Sequence, residues 1–345
     1  MKRLSIAQLM DSVGLSEGLL RARRSAPGHW LTVLTYHRVS ESVGGNDCGS
    51  SDVVDANPRS FERQIAYVAE HCSFVGIDDL ERHARGEGLR PNPVFITFDD
   101  GYRECHDVAL PILRRYGARA TFFIATSNLA ERRLFWWDRI AYAVTRSRVE
   151  ALTLDYPARM RVPLDGDRFA ASRALFHVVK TRPGLDVDRF CEAVSEAACV
   201  TMSRGEELRL ADELLMTWEQ VRALDAAGMG VESHTRTHRV LQTLSPRDLG
   251  PELGGAREEL EGHLRKPVSA IAYPVGYPVM NDATIVRSLK NAGYRWGFTN
   301  QTGVSQCLMP LERFDVARIA MSIEYDGPLF QATLALPQLA YTRRA

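Results

Sequence analysis

PVFITFDDG (93–101) is the stretch on which the fold turns. Its first six residues are apolar or β-favouring without a polar alternation, the pattern of a strand buried on both faces. Asp99, Asp100 and Gly101 then end the run, and glycine permits a sharp turn. The same grammar recurs in LTVLTYH (31–37), ATFFIAT (120–126), MGVES (229–233), SAIAYP (269–274), YRWGFT (294–299) and FDVARIAM (314–321). Helical patterns separate these runs. Pro58 opens one, with Phe61, Ile65, Val68 and Cys72 at helical intervals, and another spans 108–116 up to Gly117. Thr217 and Gln220 form a capping box, Ser245-Pro246 opens a helix carrying Leu249, Leu253, Ala256 and Leu260, and Asn281 is expected to cap the next. Strands alternating with helices predict parallel βα units, here about seven, and hence an α/β fold: a distorted (β/α)7-type barrel.

The rhythm breaks between about 127 and 215, which reads as a mostly helical insertion. It opens on Phe135, Trp136 and Trp137 and contains a hairpin pattern, LTLDY and RMRVPL, around Pro157. The expected organisation is an N-terminal amphipathic helix over 1–28, the barrel with its insertion over 29–330, and a C-terminal tail over 331–345.

In α/β barrels reactive residues sit just beyond the C-terminal ends of strands. Four polar clusters obey that rule: His37, Asp99-Asp100, His234-x-x-x-His238 and Tyr273-Pro274. Asp-Gly alone is ordinary turn chemistry. A histidine pair four apart faces one way if helical, and needs a third ligand to hold a metal. Asp100 supplies it. Two imidazoles and a carboxylate suit one divalent ion, zinc foremost, with cobalt, nickel, manganese or iron as alternatives, and leave positions open for water. Asp99, next to a ligand at a tight turn, then reads as the base that takes a proton from the attacking water. A backbone N–H near Tyr273 is the expected oxyanion donor. Trp136, Trp137 and Trp296 are either core residues or platforms for a sugar ring.

TFDDG (97–101), SHTRTH (233–238) and AYPVG (272–276), in this order, resemble the polysaccharide deacetylases of the NodB-homology type, carbohydrate esterase family 4. LTYHRV (34–39) and ATFFIAT also resemble segments flanking that site. The resemblance covers roughly 31–126 and 217–320. It implies a metal-dependent N-deacetylase acting on an N-acetylhexosamine in a polysaccharide or glycoconjugate precursor. Its base maps on Asp99, its metal ligands on Asp100, His234 and His238, and its oxyanion tyrosine on Tyr273. Three departures stand out. Ala272 replaces an arginine that orients the base, Glu232 stands where glycine is common, and no histidine follows His263 to serve as the late general acid. His37 is therefore the expected acid. Arg318 is expected to balance Asp99 or hold substrate oxygens, with Pro274 and Trp136 as further substrate contacts. Two alternatives stay open: a metal-dependent hydrolase of another small amide or imide, and a non-catalytic sugar-binding relative.

Composition agrees with a soluble globular chain. Of 345 residues 45% are hydrophobic and 25% charged, and 43 basic side chains meet 43 acidic ones. No cationic excess points to nucleic acid. Six scattered cysteines, without a CxxC pair, read as free thiols. Asp11, Ser12, Glu17 and Gly18 interrupt the apolar run that a signal peptide would need, so a cytoplasmic location is expected. The basic cluster Arg21, Arg23 and Arg24 after that amphipathic stretch also suits peripheral contact with a membrane and its glycan assembly machinery.

Overall fold

The computed structural model describes residues 2–25, 30–41, 53–307 and 310–340. Seven strands build the core: β1 (Trp30–Tyr36), β2 (Pro93–Phe98), β3 (Ala120–Ile124), β4 (Gly230–Ser233), β5 (Ala270–Ala272), β6 (Trp296–Thr302) and β7 (Val316–Ala320). Each pairs in parallel with the next, and β7 pairs with β1, so the sheet closes on itself. This is the expected barrel of seven, and its strands are the seven apolar runs of the sequence. Closure leaves these strands no exposed edge. The pairing slips between Phe298 and Thr302, where the barrel is distorted.

Strand parity sorts the side chains. Val33, Phe95, Phe123, Ala272, Phe298 and Val316 fill the inside. Their neighbours Leu34, Ile96, Phe122, Ile271 and Ile319 face outward, against the helices. Alternate residues of a strand point to opposite faces, so the row through Phe95 and Thr97 continues to Asp99, and the row through Val316 continues to Arg318. The chemistry of the strand ends therefore begins inside the barrel.

Helices cover the outer surface where the sequence places them. Phe61, Ile65 and Val68 are buried on α3 (Pro58–His71). Four helices of the insertion follow: α4 (Trp136–Arg146), α5 (Arg168–Thr181), α6 (Val187–Ala197) and α7 (Arg204–Leu214). The hairpin joins 151–154 to 160–163. The Thr217–Gln220 capping box opens α8 (Trp218–Ala226). Leu249, Leu253, Ala256 and Leu260 line the buried face of α9 (Pro246–Leu264). The cap of α10 (Ala283–Asn291) is Asp282 and not Asn281, because its carboxylate reaches the N–H groups of Thr284 and Ile285.

The chain ends depart from expectation. The N-terminal segment is two helices, not one: α1 (Lys2–Ser12) and α2 (Leu15–Arg24), which Gly14 separates in a left-handed conformation (φ 64°). The expected tail is not separate from residue 331, since α11 (Pro328–Ala335) crosses that point and packs on α1 and α2. The cysteines among the described residues are free, while Cys48 lies outside them. Among the described residues no helix is long and apolar enough to cross a membrane.

Tyr273 and Trp296 are structural. The Tyr273 hydroxyl donates to the Phe314 carbonyl (2.7 Å) across the space left by Gly297. Trp296 is fully buried, with its N–H on Glu81. A β-carbon at position 297 would lie 1.8 Å from the Tyr273 oxygen. Gly297→Ala is therefore expected to cost about 1–3 kcal/mol of stability, read as a lower urea midpoint with an unchanged slope.

Candidate active site

Asp99 and Asp100 leave β2 through a tight turn. Asp100 is left-handed (φ 75°), as is Gly101 (φ 106°), and the Gly101 N–H returns to the Asp99 carbonyl. Adjacent carboxylates can then face different ways. Both oxygens of Asp99 accept from the Arg318 guanidinium, at 2.9 and 2.7 Å, deep inside the barrel. Arg318 also donates to the Thr299 carbonyl (2.8 Å) and is fully buried. Burial alone would raise the Asp99 pKa, but the Arg318 charge overrides it and holds the carboxyl below its ordinary value.

Asp100 points instead at the histidines. Its Oδ1 lies 3.3 Å from Nε2 of both His234 and His238. The two histidines are not on a helix: residues 234–239 form an irregular loop in which Thr235 (φ 65°) and His238 (φ 54°) are left-handed. The loop is nonetheless anchored. His234 Nδ1 sits 2.9 Å from the Ala272 carbonyl, which assigns the proton to Nδ1 and leaves the Nε2 lone pair free. Glu252 on α9 accepts from the Arg236 and Thr237 N–H groups and the Thr237 hydroxyl. Trp137 meets the His238 ring edge-on at 4.5 Å.

One ligand atom from each of Asp100, His234 and His238 falls within 4.8 Å of the others, and all three residues are buried. Asp100 Oδ1 and His238 Nδ1 find no hydrogen-bond donor or acceptor among the described atoms. A buried carboxylate oxygen facing two imidazole nitrogens without a hydrogen bond is a donor set that fits a divalent cation. The Asp99 carboxylate lies beside it, 4.0 Å from His234 Nε2.

His37, at the end of β1, lines the same cavity of about 230 Å³. Its Nδ1 and its backbone N–H both meet the Asp55 carboxylate, the ring contact being 3.0 Å. Burial would lower the His37 pKa, yet Asp55, with help from Asp100 and Asp99, raises it to about 9. Trp136, Trp137, Phe176, Lys180, Val275 and Asn300 complete the wall.

Several expectations fail here. The Tyr273 N–H donates to the Phe298 carbonyl (3.0 Å) within the sheet, so it is not available to an oxyanion, and its ring is buried elsewhere. Pro274 is buried and does not border the cavity; the backbone that does is Val275, left-handed at φ 64°. Arg318 is too deep to hold substrate oxygens, and of its two expected roles it takes the one of balancing Asp99. Asp99 thus takes its cationic partner from β7, while position 272 on β5 carries a buried alanine. Glu232 ties β4 to the start of β5, since its buried carboxylate accepts from the Ser269 and Ala270 N–H groups. Asp55, Glu252 and Lys180 escape sequence reading, since none adjoins one of the seven apolar runs, and Asn300 goes unread although it directly follows YRWGFT.

The model of the family described as polysaccharide deacetylase matches residues 87–166 and 171–297, more than half of the chain. YxkH of Bacillus subtilis (strain 168), provisionally named a polysaccharide deacetylase, is 28% identical over 277 residues, 80% of this chain and 66% of its own length. A poly-beta-1,6-N-acetyl-D-glucosamine N-deacetylase of Staphylococcus epidermidis is 27% identical over 104 residues, 28% of this chain and 36% of its own length. The chain thus spans less than two thirds of either relative. Among solved structures, Streptococcus pyogenes deacetylase PplD in complex with acetate aligns with a TM-score of 0.57 at 17% identity, covering 89% of this chain and 99% of that one. That likeness is one of fold.

Removing Arg318 leaves Asp99 as a buried, uncompensated charge. Arg318→Met is expected to destabilise the protein by about 3–5 kcal/mol, and Asp99→Asn in the same chain to recover part of the loss, both read by urea denaturation. Zinc titration should give one site per chain. His234→Ala should weaken it by roughly a hundredfold or more, since loss of an outer-shell partner alone costs up to that much.

Proposed function

The chain belongs to the polysaccharide deacetylase family, and on that premise we propose that it removes acetyl groups from an N-acetylhexosamine in a polysaccharide or glycoconjugate precursor. The observation that carries this reading is the convergence, in one cavity, of the Asp100–His234–His238 donor set, the Arg318-held carboxylate of Asp99, and the Asp55-held imidazole of His37. The name of the staphylococcal relative supports N-acetylglucosamine as the sugar.

Asp100, His234 and His238 would hold a divalent ion, zinc foremost, which would supply Lewis acidity toward the acetyl carbonyl and the attacking water. Asp99 stays ionised and takes the proton of the attacking water, while Arg318 fixes its orientation. The water oxygen forms the new bond to the acetyl carbon. His37, protonated at neutral pH, gives its proton to the amide nitrogen as the carbon–nitrogen bond breaks. The products are acetate and a free amine. Two carboxylates and a histidine thus divide the chemistry, with Asp100 binding, Asp99 accepting and His37 donating. The cavity wall at Trp136 and Trp137 offers an apolar face to the sugar ring. Asn300, whose Oδ1 has no hydrogen-bond partner among the described residues, offers a polar one.

Acetate release from β-1,6-linked N-acetylglucosamine oligomers, with zinc, cobalt or manganese supplied, tests the proposal. Turnover of small N-acetyl or N-formyl compounds with none of the sugars would sink the sugar assignment. Asp99→Asn should keep zinc uptake and lose about 10²–10⁴-fold in kcat. The pH profile examines His37 separately. The required protonated form exists below its raised pKa, so kcat/KM should fall on an alkaline limb at or below about 9, a bound cation drawing it downward. Asp55→Asn removes the anion that raises His37 and should move that limb toward neutrality. An unchanged limb in both Asp55→Asn and His37→Ala would remove His37 from the mechanism.

A further inference from the structure

Ten large hydrophobic side chains are exposed among the described residues, and five of them fall within the first fifteen positions: Leu4, Ile6, Leu9, Val13 and Leu15. They are between 44% and 68% exposed, whereas scattered single apolar residues are the rule on protein surfaces. The packing of α1 is inverted. Small Ala7 and flexible Met10 are buried against Leu20 and against Leu329, Ala332 and Ala335 of α11. Leu4 and Ile6 flank that buried strip half-exposed, while Leu9, Val13 and Leu15 stand out around the α1–α2 turn. A helix that needed only to seal the barrel would do the reverse.

The charge of this region is also distinctive. The chain as a whole is neutral, yet residues 2–24 contain Lys2, Arg3, Arg21, Arg23 and Arg24 against only Asp11 and Glu17. Arg21 pairs with Glu17 at 3.2 Å, with side chains 72% and 44% exposed, which leaves a weak and screened contact. Arg23 and Arg24 donate to backbone carbonyls of α11 and α3, so their charges stay unneutralised by carboxylates.

We propose that the α1–α2 turn, with Leu9, Val13 and Leu15, lies on a lipid bilayer rich in anionic headgroups. The apolar side chains enter the boundary between headgroups and acyl chains, and the exposed Arg21 and Arg24 meet lipid phosphates. Exposed aliphatic side chains beside exposed cationic ones match an interfacial segment. A second copy of the chain fits the face less well. A two-fold contact would bring the same cationic segments together, with a repulsive cost. α2 is tied near the strand-start end of the barrel, where the Asn92 amide donates to the Leu20 carbonyl. The catalytic cavity lies at the opposite end of β2, so docking through this face does not cover it.

The full chain is incubated with vesicles of phosphatidylcholine, with and without phosphatidylglycerol, and sedimented. Binding to the mixed vesicles that weakens as salt rises is expected. Leu9→Glu combined with Val13→Glu should reduce the bound fraction about tenfold or more, and Arg21→Glu several-fold, at roughly fivefold for each cationic side chain taken from the headgroups. All three positions are solvent-facing, so the circular dichroism and thermal midpoint should stay unchanged, as should acetate release from a soluble oligomer. Equal binding to pure phosphatidylcholine overturns the anionic assignment. Failure to bind either vesicle, or wild-type binding by the double variant, overturns the proposal. A concentration-dependent doubling of mass that the double variant abolishes gives the face to a second copy and likewise overturns it.

Discussion

Inside the barrel one ion pair constrains the rest of the site. Arg318 and Asp99 are both buried, and a charge taken out of water costs several kcal/mol unless it is matched. The match is bidentate, and the third guanidinium contact goes to the Thr299 carbonyl. This arrangement requires β2 and β7 to turn residues 99 and 318 to the interior in a fixed register: Ile96 and Ile319 are both level with Leu34 of β1, so the long Arg318 side chain starts below Asp99 and reaches up to it. β1 separates them in the sheet, and its Thr35 bridges toward Thr97 at 3.2 Å. The pair therefore holds the Asp99 carboxylate ionised and oriented, and it does so only in a closed and correctly registered barrel.

Around that centre the backbone is bent against its usual preference. Eight non-glycine residues among those described have positive φ, and Asp100, Thr235, His238 and Val275 are four of them. Such conformations cost of order 1 kcal/mol or more each and persist where the surroundings over-determine them. Here the surroundings can be named. Glu252 ties the loop before His238, the Ala272 carbonyl orients His234, and Trp137 closes on His238. The insertion is thus more than a cover, since α4 and α5 bring Trp136, Trp137, Phe176 and Lys180 to the cavity.

Much of this is legible in the chain. Each barrel strand is a short apolar run, because a parallel strand is buried on both faces, and the polar residues that end these runs fall at one end of the barrel. Asp99, Asp100, His234, His238 and His37 stand out on that ground, and they share one cavity. Tyr273 misleads for a related reason. It too follows an apolar run, but β5 is short and its ladder with β6 still claims the Tyr273 N–H, so the chain reaches the cavity two residues later, at Val275. The spacing of the histidine pair suggests a helical geometry that the loop does not have, although that spacing serves equally well.

What the sequence by itself determined is the set of local choices: which runs become strands, where they stop, and which acids and histidines stand at the stops. Hydrophobic periodicity and turn chemistry are short-range, and they act on neighbours in the chain. Only the tertiary structure decided the partners. Asp55 meets His37 from eighteen residues away, Glu252 meets Thr237 from fifteen, and Arg318 meets Asp99 from 219. Those contacts follow from barrel closure and helix docking, in which residues distant in sequence are brought together by burial. No local pattern of charge or hydrophobicity encodes which arginine a buried aspartate will find.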